Sequence, residues 1–447
     1  MTETALPTTA HGTADSTAAT EPATCPHSAP RNAPLVAPDT AGPAPEHPRY
    51  PLARAAGCPF DPPAELAGLR EHEPFSRVRV WDGTPAWLVT RYQDQRAILT
   101  DSRFSADATR PGFPTQSPGI AARRRSGNPL PFITMDDPDH NRVRRMFTSY
   151  FSVKRARALV PRLNEIIDGL LDDMERAGAP VDLVSTFALP LPSLVIAEIL
   201  GVPREDQHLF QSRSRVLISM NSTANETMEA MEELGSYLGD LIDAKVTDPQ
   251  DDLISQVAVD HMLTGGTTRA RLVQDAMLLL IAGHETTTNM IALGTLALMR
   301  NPAQLKAVRD AEDPAAVAGA VEELLRYLTI VHTGRRRLAT EDVEISGQLI
   351  RAGEGVILSN DSANRDATVF DDPDELDITR PNARRHLAFG QGTHQCLGQN
   401  LARQELQLAY PALLRRFPGL RPAVEEEAIR YKHDAVVYGV YELPVAW

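Results

Sequence analysis

"HLAFGQGTHQCLGQNLARQEL" runs from His386 to Leu406, and its reading decides the fold. It places one thiol, Cys396, in a loop punctuated by Gly390, Gly392 and Gly398 that opens into a helical stretch. Such glycines let the backbone turn tightly and let a flat group come close. A cysteine at a helix N-terminus has its thiolate favoured by the dipole and by free N–H groups. The other cysteines, Cys25 and Cys58, are far away in sequence, and three cysteines make no disulfide framework. A lone Cys at a turn is more often packing. Here Phe389, Gly392 and Cys396 make joint sense as a site for a metal with a single protein ligand. A dinucleotide-binding reading of "GQGTHQ" is weak, because the third glycine and the preceding βαβ context are missing.

The surrounding chain is of ordinary globular composition, 42% hydrophobic and 23% charged over 447 residues. Its net charge of −14 argues against a nucleic-acid binder. The start, "MTETALPTTAHGTADSTAAT", has neither a basic n-region nor an apolar h-region, so no secretory signal is expected. No apolar run is long enough to span a membrane. Few, scattered cysteines suit a reducing compartment, and the expected location is cytoplasmic. Residues 1–48 are rich in Ala, Pro, Thr and Ser and read as a disordered tail. Residues 49–447 read as one domain without a linker-like break.

That domain is expected to be mainly α with a small β region. Strand signals sit in "SRVRVWDGTPAWLVT" (76–90), a hairpin around Asp82-Gly83. They recur in 335–359, read as a meander turning at Gly347 and Gly353, and in 435–447, read as a closing hairpin. Helical periodicity fills most of the rest. Asp313 and Pro314 form a matched helix start. A longer helix is expected from about Thr268 to Arg300, stopped by Asn301-Pro302. It is apolar nearly all round, so it is expected at the centre.

Inside that helix lies "AGHETTTN" (282–289). Gly and consecutive Thr are poor helix formers. The Thr286 hydroxyl can bond back to the Ala282 carbonyl and bend or open the helix. Glu285 is a carboxylate among apolar neighbours and needs a partner. The plain reading is a solvated notch; the sharper one is a proton-handling site beside a bound group. A zinc-hydrolase reading fails because Thr288 stands where the H-E-x-x-H pattern needs a second His. For Cys396, a single axial thiolate on haem iron is a known arrangement.

Three motifs together resemble the cytochrome P450 family. "FGQGTHQCLG" (389–398) is similar to its haem-binding signature F-G-x-G-x-H-x-C-x-G at every specified position, "AGHETT" to its oxygen-activating stretch, and "EELLR" to its E-x-x-R pair, Glu323 and Arg326. The resemblance covers about residues 50–447. It implies a single large triangular domain, mainly α, with haem b bound through Cys396. Phe389, Gly390 and Gly398 would shape the ligand loop, and Ala282 and Gly283 would lie along the cofactor. The implied propionate partners are His140, Arg144, Arg337 and His394, since buried carboxylates need cations or donors. Arg380 would complete a structural network with Glu323 and Arg326, while Arg335 and Arg336 read as loop charges. Thr286 and Glu285 would be catalytic, holding and delivering protons.

The implied reaction inserts one oxygen atom from O2 into a bulky lipophilic substrate, by hydroxylation or epoxidation, in secondary-metabolite tailoring or xenobiotic oxidation. Candidate pocket segments are 111–133, 216–228, 276–287 and 330–334, with Val436 and Val437. No flavin or iron–sulfur region follows the motifs, so electrons are expected from NAD(P)H through a separate ferredoxin and ferredoxin reductase. Arg145 and Arg403, or else Arg384 and Arg385, are the expected docking charges of a monomer. The rival readings are a haem-thiolate protein with peroxide-using or dehydrating chemistry, and a non-enzymatic haem sensor.

Overall fold

Arg269–Met299 is helical from end to end. Thr268 starts it, its side chain accepting from the Arg271 N–H, and Pro302 opens the next helix, Pro302–Asp310. Thirty-one residues at ~1.5 Å each give a rod of roughly 46 Å. Its side chains are buried almost without interruption from His284 to Leu298. This central helix is the axis of the main apolar core. The helices Pro190–Leu200, Gln207–Ile218, Ala224–Thr247 and Gln399–Arg416 pack directly on it. The computed structural model describes residues 1–2, 47–54 and 58–447. Nearly all of the expected N-terminal tail, with Cys25, lies outside them.

The axis approaches its neighbours through missing side chains. A Cβ on Gly283 would stand 2.6 Å from Ile196, and one on Gly294 would collide with the Tyr410 hydroxyl. Tyr410 donates from that hydroxyl to the Met290 carbonyl at 2.5 Å, locking the Gln399–Arg416 helix to the axis. The helix does not open at the threonines. Thr286 does donate to the Ala282 carbonyl at 2.9 Å, but the helical ladder continues unbroken around it. Packing on several sides outweighs the local propensity.

The small β region is a five-stranded sheet beside the helices, in the order β1-β2-β8-β5-β3. Its strands are β1 (Phe75–Arg79), β2 (Pro85–Val89), β3 (Phe104–Ser105), β5 (Arg335–Ala339) and β8 (Gly355–Leu358). The β1–β2 hairpin turns at Gly83 as expected, with φ +87°. The expected meander is corrected. Ser346 and Gly347 both take positive φ, so β6 (Val343–Ile345) and β7 (Gln348–Ile350) close on each other as a separate hairpin. β8 then returns antiparallel to β5 and parallel to β2.

The closing hairpin is corrected too. β10 (Pro444–Ala446) is the middle strand of a small sheet, between β4 (Val181–Asp182) and β9 (Arg421–Pro422). Residues before it turn inward instead of pairing with it, since Gly439 lies against Asn289 of the central helix. They also bridge the end of the Gln207–Ile218 helix. Val436 N–H donates to the Ile218 carbonyl at 2.9 Å, and Met220 N–H to the Asp434 carbonyl at 2.7 Å.

Candidate active site

The thiol sits where a loop is pinned from several directions. Gly390 and Gly392 both take left-handed φ, +71° and +75°. A Cβ on Gly392 would stand 2.5 Å from the Leu99 carbonyl oxygen, so its close approach is to backbone, where a flat ligand was expected. Beyond them, Cys396 N–H donates to the Phe389 carbonyl at 2.8 Å. Arg144 donates to the Gln395 carbonyl at 2.6 Å. Arg335 donates to the Leu387 and Ala388 carbonyls at 3.1 and 2.7 Å. The helix itself begins at Gln399, so Cys396 lies two residues before its N-cap, Gly398. Burial pushes the Cys396 thiol up; the Gly398 N–H and the guanidinium groups of Arg335, Arg144 and Arg403 oppose that. A thiolate here calls for a positive partner such as a metal ion.

Arg335 and Arg336 are therefore not loop charges. Both lie on β5, and Arg336 and Arg337 are buried. The alternation of the strand sends Arg335 and Arg337 to one face and Arg336 to the other. Burial pushes all three down to about 10. Near Arg337 the rings of His140 and His394 lie 4.0 Å apart. His140 Nδ1 is 3.3 Å from Asp137, while His140 Nε2 and His394 Nδ1 are buried without a hydrogen-bond partner. Burial, then Arg337, His140 and Arg144, drive His394 down to about 2. Two unpartnered imidazole nitrogens beside the buried guanidinium of Arg337 suit a ligand carrying carboxylates.

Facing this, the central helix offers Ala282, which is exposed, and half-buried Thr286. Gly283 instead serves the contact with Ile196. Thr286 and Thr287 line a cavity of about 50 Å³ with Met290, Leu325, Ala388 and Phe389. Glu285 is buried. Burial pushes its carboxyl up, but His284, Lys432 and Arg215 outweigh that and hold it below its ordinary value. Val437 packs in the main core, Val436 is half-buried, and neither is among the described residues lining this cavity.

Behind the loop, Arg326 pairs with Glu323 through both oxygens, at 2.7 and 2.8 Å, with both side chains fully buried. Arg380 adds contacts of 3.1 and 3.2 Å to the same carboxylate. Sequence reasoning missed the neighbouring Glu322, which accepts from His386 at 2.9 Å and from Arg403 at 2.6 and 3.1 Å. This overturns Arg403 as a docking charge: it is largely buried, and its guanidinium covers the Phe389 ring at 4.5 Å. The available signal was the doubled acid in "EELLR", of which only one could serve Arg326. Arg145, Arg384 and Arg385 are exposed.

The residues fit an iron tetrapyrrole. One soft ligand stands alone, with cations for two carboxylates beside it and apolar walls around it. Among the described residues no group of three or more His, Cys, Asp or Glu could hold a bare metal ion.

Comparison with known proteins agrees. Residues 70–438 match the family model described as Cytochrome P450. Cytochrome P450-SU2 of Streptomyces griseolus is 52% identical over 397 residues, 89% of this chain and 96% of that one. The crystal structure of GfsF, 47% identical, superposes with a TM-score of 0.83 over 90% of this chain and 100% of that one. GfsF is from Streptomyces halstedii. The mycinamicin VIII C21 methyl hydroxylase MycCI from Micromonospora griseorubida, solved with mycinamicin VIII bound, is 39% identical, with a TM-score of 0.83 and the same coverage.

Proposed function

The chain belongs to the cytochrome P450 family and is a haem-thiolate monooxygenase, and from that premise we propose the following division of labour. Cys396 supplies the thiolate ligand. His140, His394 and Arg337 hold the haem carboxylates, and Arg144 serves them while fixing the loop at Gln395. Phe389, Gly390 and Gly398 shape the ligand loop, and Ala282 gives the flat surface on the opposite side. When bound, haem supplies dioxygen activation, which uses two electrons and two protons, and its thiolate favours O–O cleavage.

The protein's own part is to deliver those protons and exclude others. Glu285, kept acidic by its cationic neighbours, takes protons from the solvent side, and the Thr286 hydroxyl directs them into the cavity. This Glu–Thr pair supports oxygen activation over peroxide-using chemistry. The substrate is a bulky lipophilic molecule, hydroxylated or epoxidised in secondary-metabolite tailoring or xenobiotic oxidation. The hydroxylase named for mycinamicin VIII supports that class. Val436, held by a backbone bond to Ile218 and by the Thr333 hydroxyl, is the substrate contact on the segment before β10. Electrons come from NAD(P)H through a ferredoxin reductase and a ferredoxin that docks over the Cys396 loop. The enzyme works as a cytoplasmic monomer. Among the described residues no helix is long and apolar enough to cross a membrane.

The observation that carries this reading is the solitary Cys396 beside the unpartnered imidazole nitrogens of His140 and His394. The reduced, carbon-monoxide-bound protein should show a thiolate-type spectrum, and Cys396→Ala should lose it. Retention of that spectrum in Cys396→Ala would sink the assignment.

A further inference from the structure

His284 has no part in the division of labour above. Its ring is fully buried. Nδ1 lies 2.7 Å from the Leu280 carbonyl one turn back, and a carbonyl only accepts, so Nδ1 carries hydrogen. Phe210 of the Gln207–Ile218 helix packs against the ring with centroids 5.4 Å apart. Thus held, the ring turns Nε2 toward Glu285, 3.6 Å from its Oε1. Nε2 is buried and has no hydrogen-bond partner of its own.

The other charged groups around the carboxyl come from separate elements. Arg215 stands on the Gln207–Ile218 helix, Lys432 on the segment before β10, and Asp434 close to Lys432. Two cations beside a buried carboxyl make it hard for Glu285 to keep a proton by itself. The imidazole is the one neighbour among these that can both take and return one.

We propose that His284 is the positioning residue of Glu285: Nε2 faces Oε1 at a distance that a small side-chain movement closes, a proton then passes between them, and this pair is the store from which Thr286 is supplied. A proton leaving Glu285 toward Thr286 is replaced from Nε2, and the imidazole is recharged from solvent through the same carboxylate. No oxidant or reductant is consumed. The inference rests on the reading of Glu285 as proton donor.

Infrared titration of the holoenzyme tests it, with the Glu285 carboxyl band assigned by its loss in Glu285→Gln. His284→Phe keeps the ring shape against Phe210 and removes both nitrogens. The carboxyl midpoint should then rise by about one to two pH units, the size of one hydrogen bond to a charged group. His284→Gln, which retains an N–H donor, should recover most of the shift. Should His284→Phe fail to take up haem, His284→Asn, too short to reach Glu285, carries the same expectation. An unmoved midpoint in the variant that folds overturns the pairing. Product formed per reductant consumed, measured against pH, should move with the midpoint. A moved midpoint with unmoved coupling would keep the pairing and reject Glu285 as the donor.

Discussion

A single hydrogen at Gly294 decides how closely two helices meet. Gly to Ala within a helix ordinarily gains about 1 kcal/mol. At Gly294 the new methyl would displace the Tyr410 hydroxyl and break its buried bond to Met290, so Gly294→Ala should destabilise by about 1–3 kcal/mol. Gly169, in the helix Val160–Ala177, has open space where a Cβ would go, and Gly169→Ala should stabilise by up to about 1 kcal/mol. Denaturant unfolding of the two variants checks both signs. At the site, Thr286→Ala should still bind substrate and consume reductant while releasing much of the oxygen as hydrogen peroxide. Unchanged product per reductant would remove Thr286 from the relay. Residues such as Cys396 and Glu285 were legible because fixed spacings surround them. Arg335 and Arg336 were not: three successive arginines look solvated until strand alternation and pairing with β8 bury Arg336 and Arg337 and half-bury Arg335.

At the level of elements, the loop carrying Cys396 is held from the helix behind it. Glu322 of the helix Pro314–Leu328 ties down His386 before the loop and Arg403 after it. Burial pushes the Glu322 carboxyl up, but these two partners overcome it and bring it down to about 2, from an ordinary 4.5. A depressed carboxyl stabilises the fold above its unfolded value and loses that contribution as pH falls through the folded one. The loss therefore falls between about pH 4.5 and 2, and amounts to on the order of 3 kcal/mol. His386, held down by burial, must also charge in acid and works in the same direction. Glu322→Gln should cost about 3 kcal/mol at neutral pH, and its deficit should shrink below pH 4.5 and vanish toward pH 2. Unfolding midpoints across that range, read by haem absorbance and circular dichroism, measure it. The helices were legible from capping and period: Asp313 does cap Pro314–Leu328. The pairing of short strands was not, because partners such as β5 and β8, or β4 and β10, are chosen by tertiary contact and carry little local signal.

The whole molecule carries a net charge of −14, so an acidic ferredoxin would be repelled from a distance. Docking needs a local basic face. With Arg403 committed to Glu322, exposed Arg145 on the helix Asp139–Thr148 is the test residue. Exposed charges are screened over about 10 Å at 0.1 M salt and act mainly on association rate. Arg145→Glu should slow ferredoxin-dependent haem reduction several-fold at low salt and little at high salt, while a small-molecule reductant still works normally. Equal rates in variant and wild type across a salt series would move the docking face toward Arg384 and Arg385.

The bridge between the end of the Gln207–Ile218 helix and the segment before β10 joins stretches more than two hundred positions apart in the chain. Ser219 pairs with Ala435 there, and the side chain of Asn221 reaches Asp434 at 3.2 Å. For anyone recombining this enzyme with a relative, the two stretches form one cassette. A crossover that imports only one leaves mismatched halves of a backbone zipper. Exchanging 216–222 together with 431–440 keeps the seam intact, and with it the alignment of Lys432 and Val436 that the seam sets.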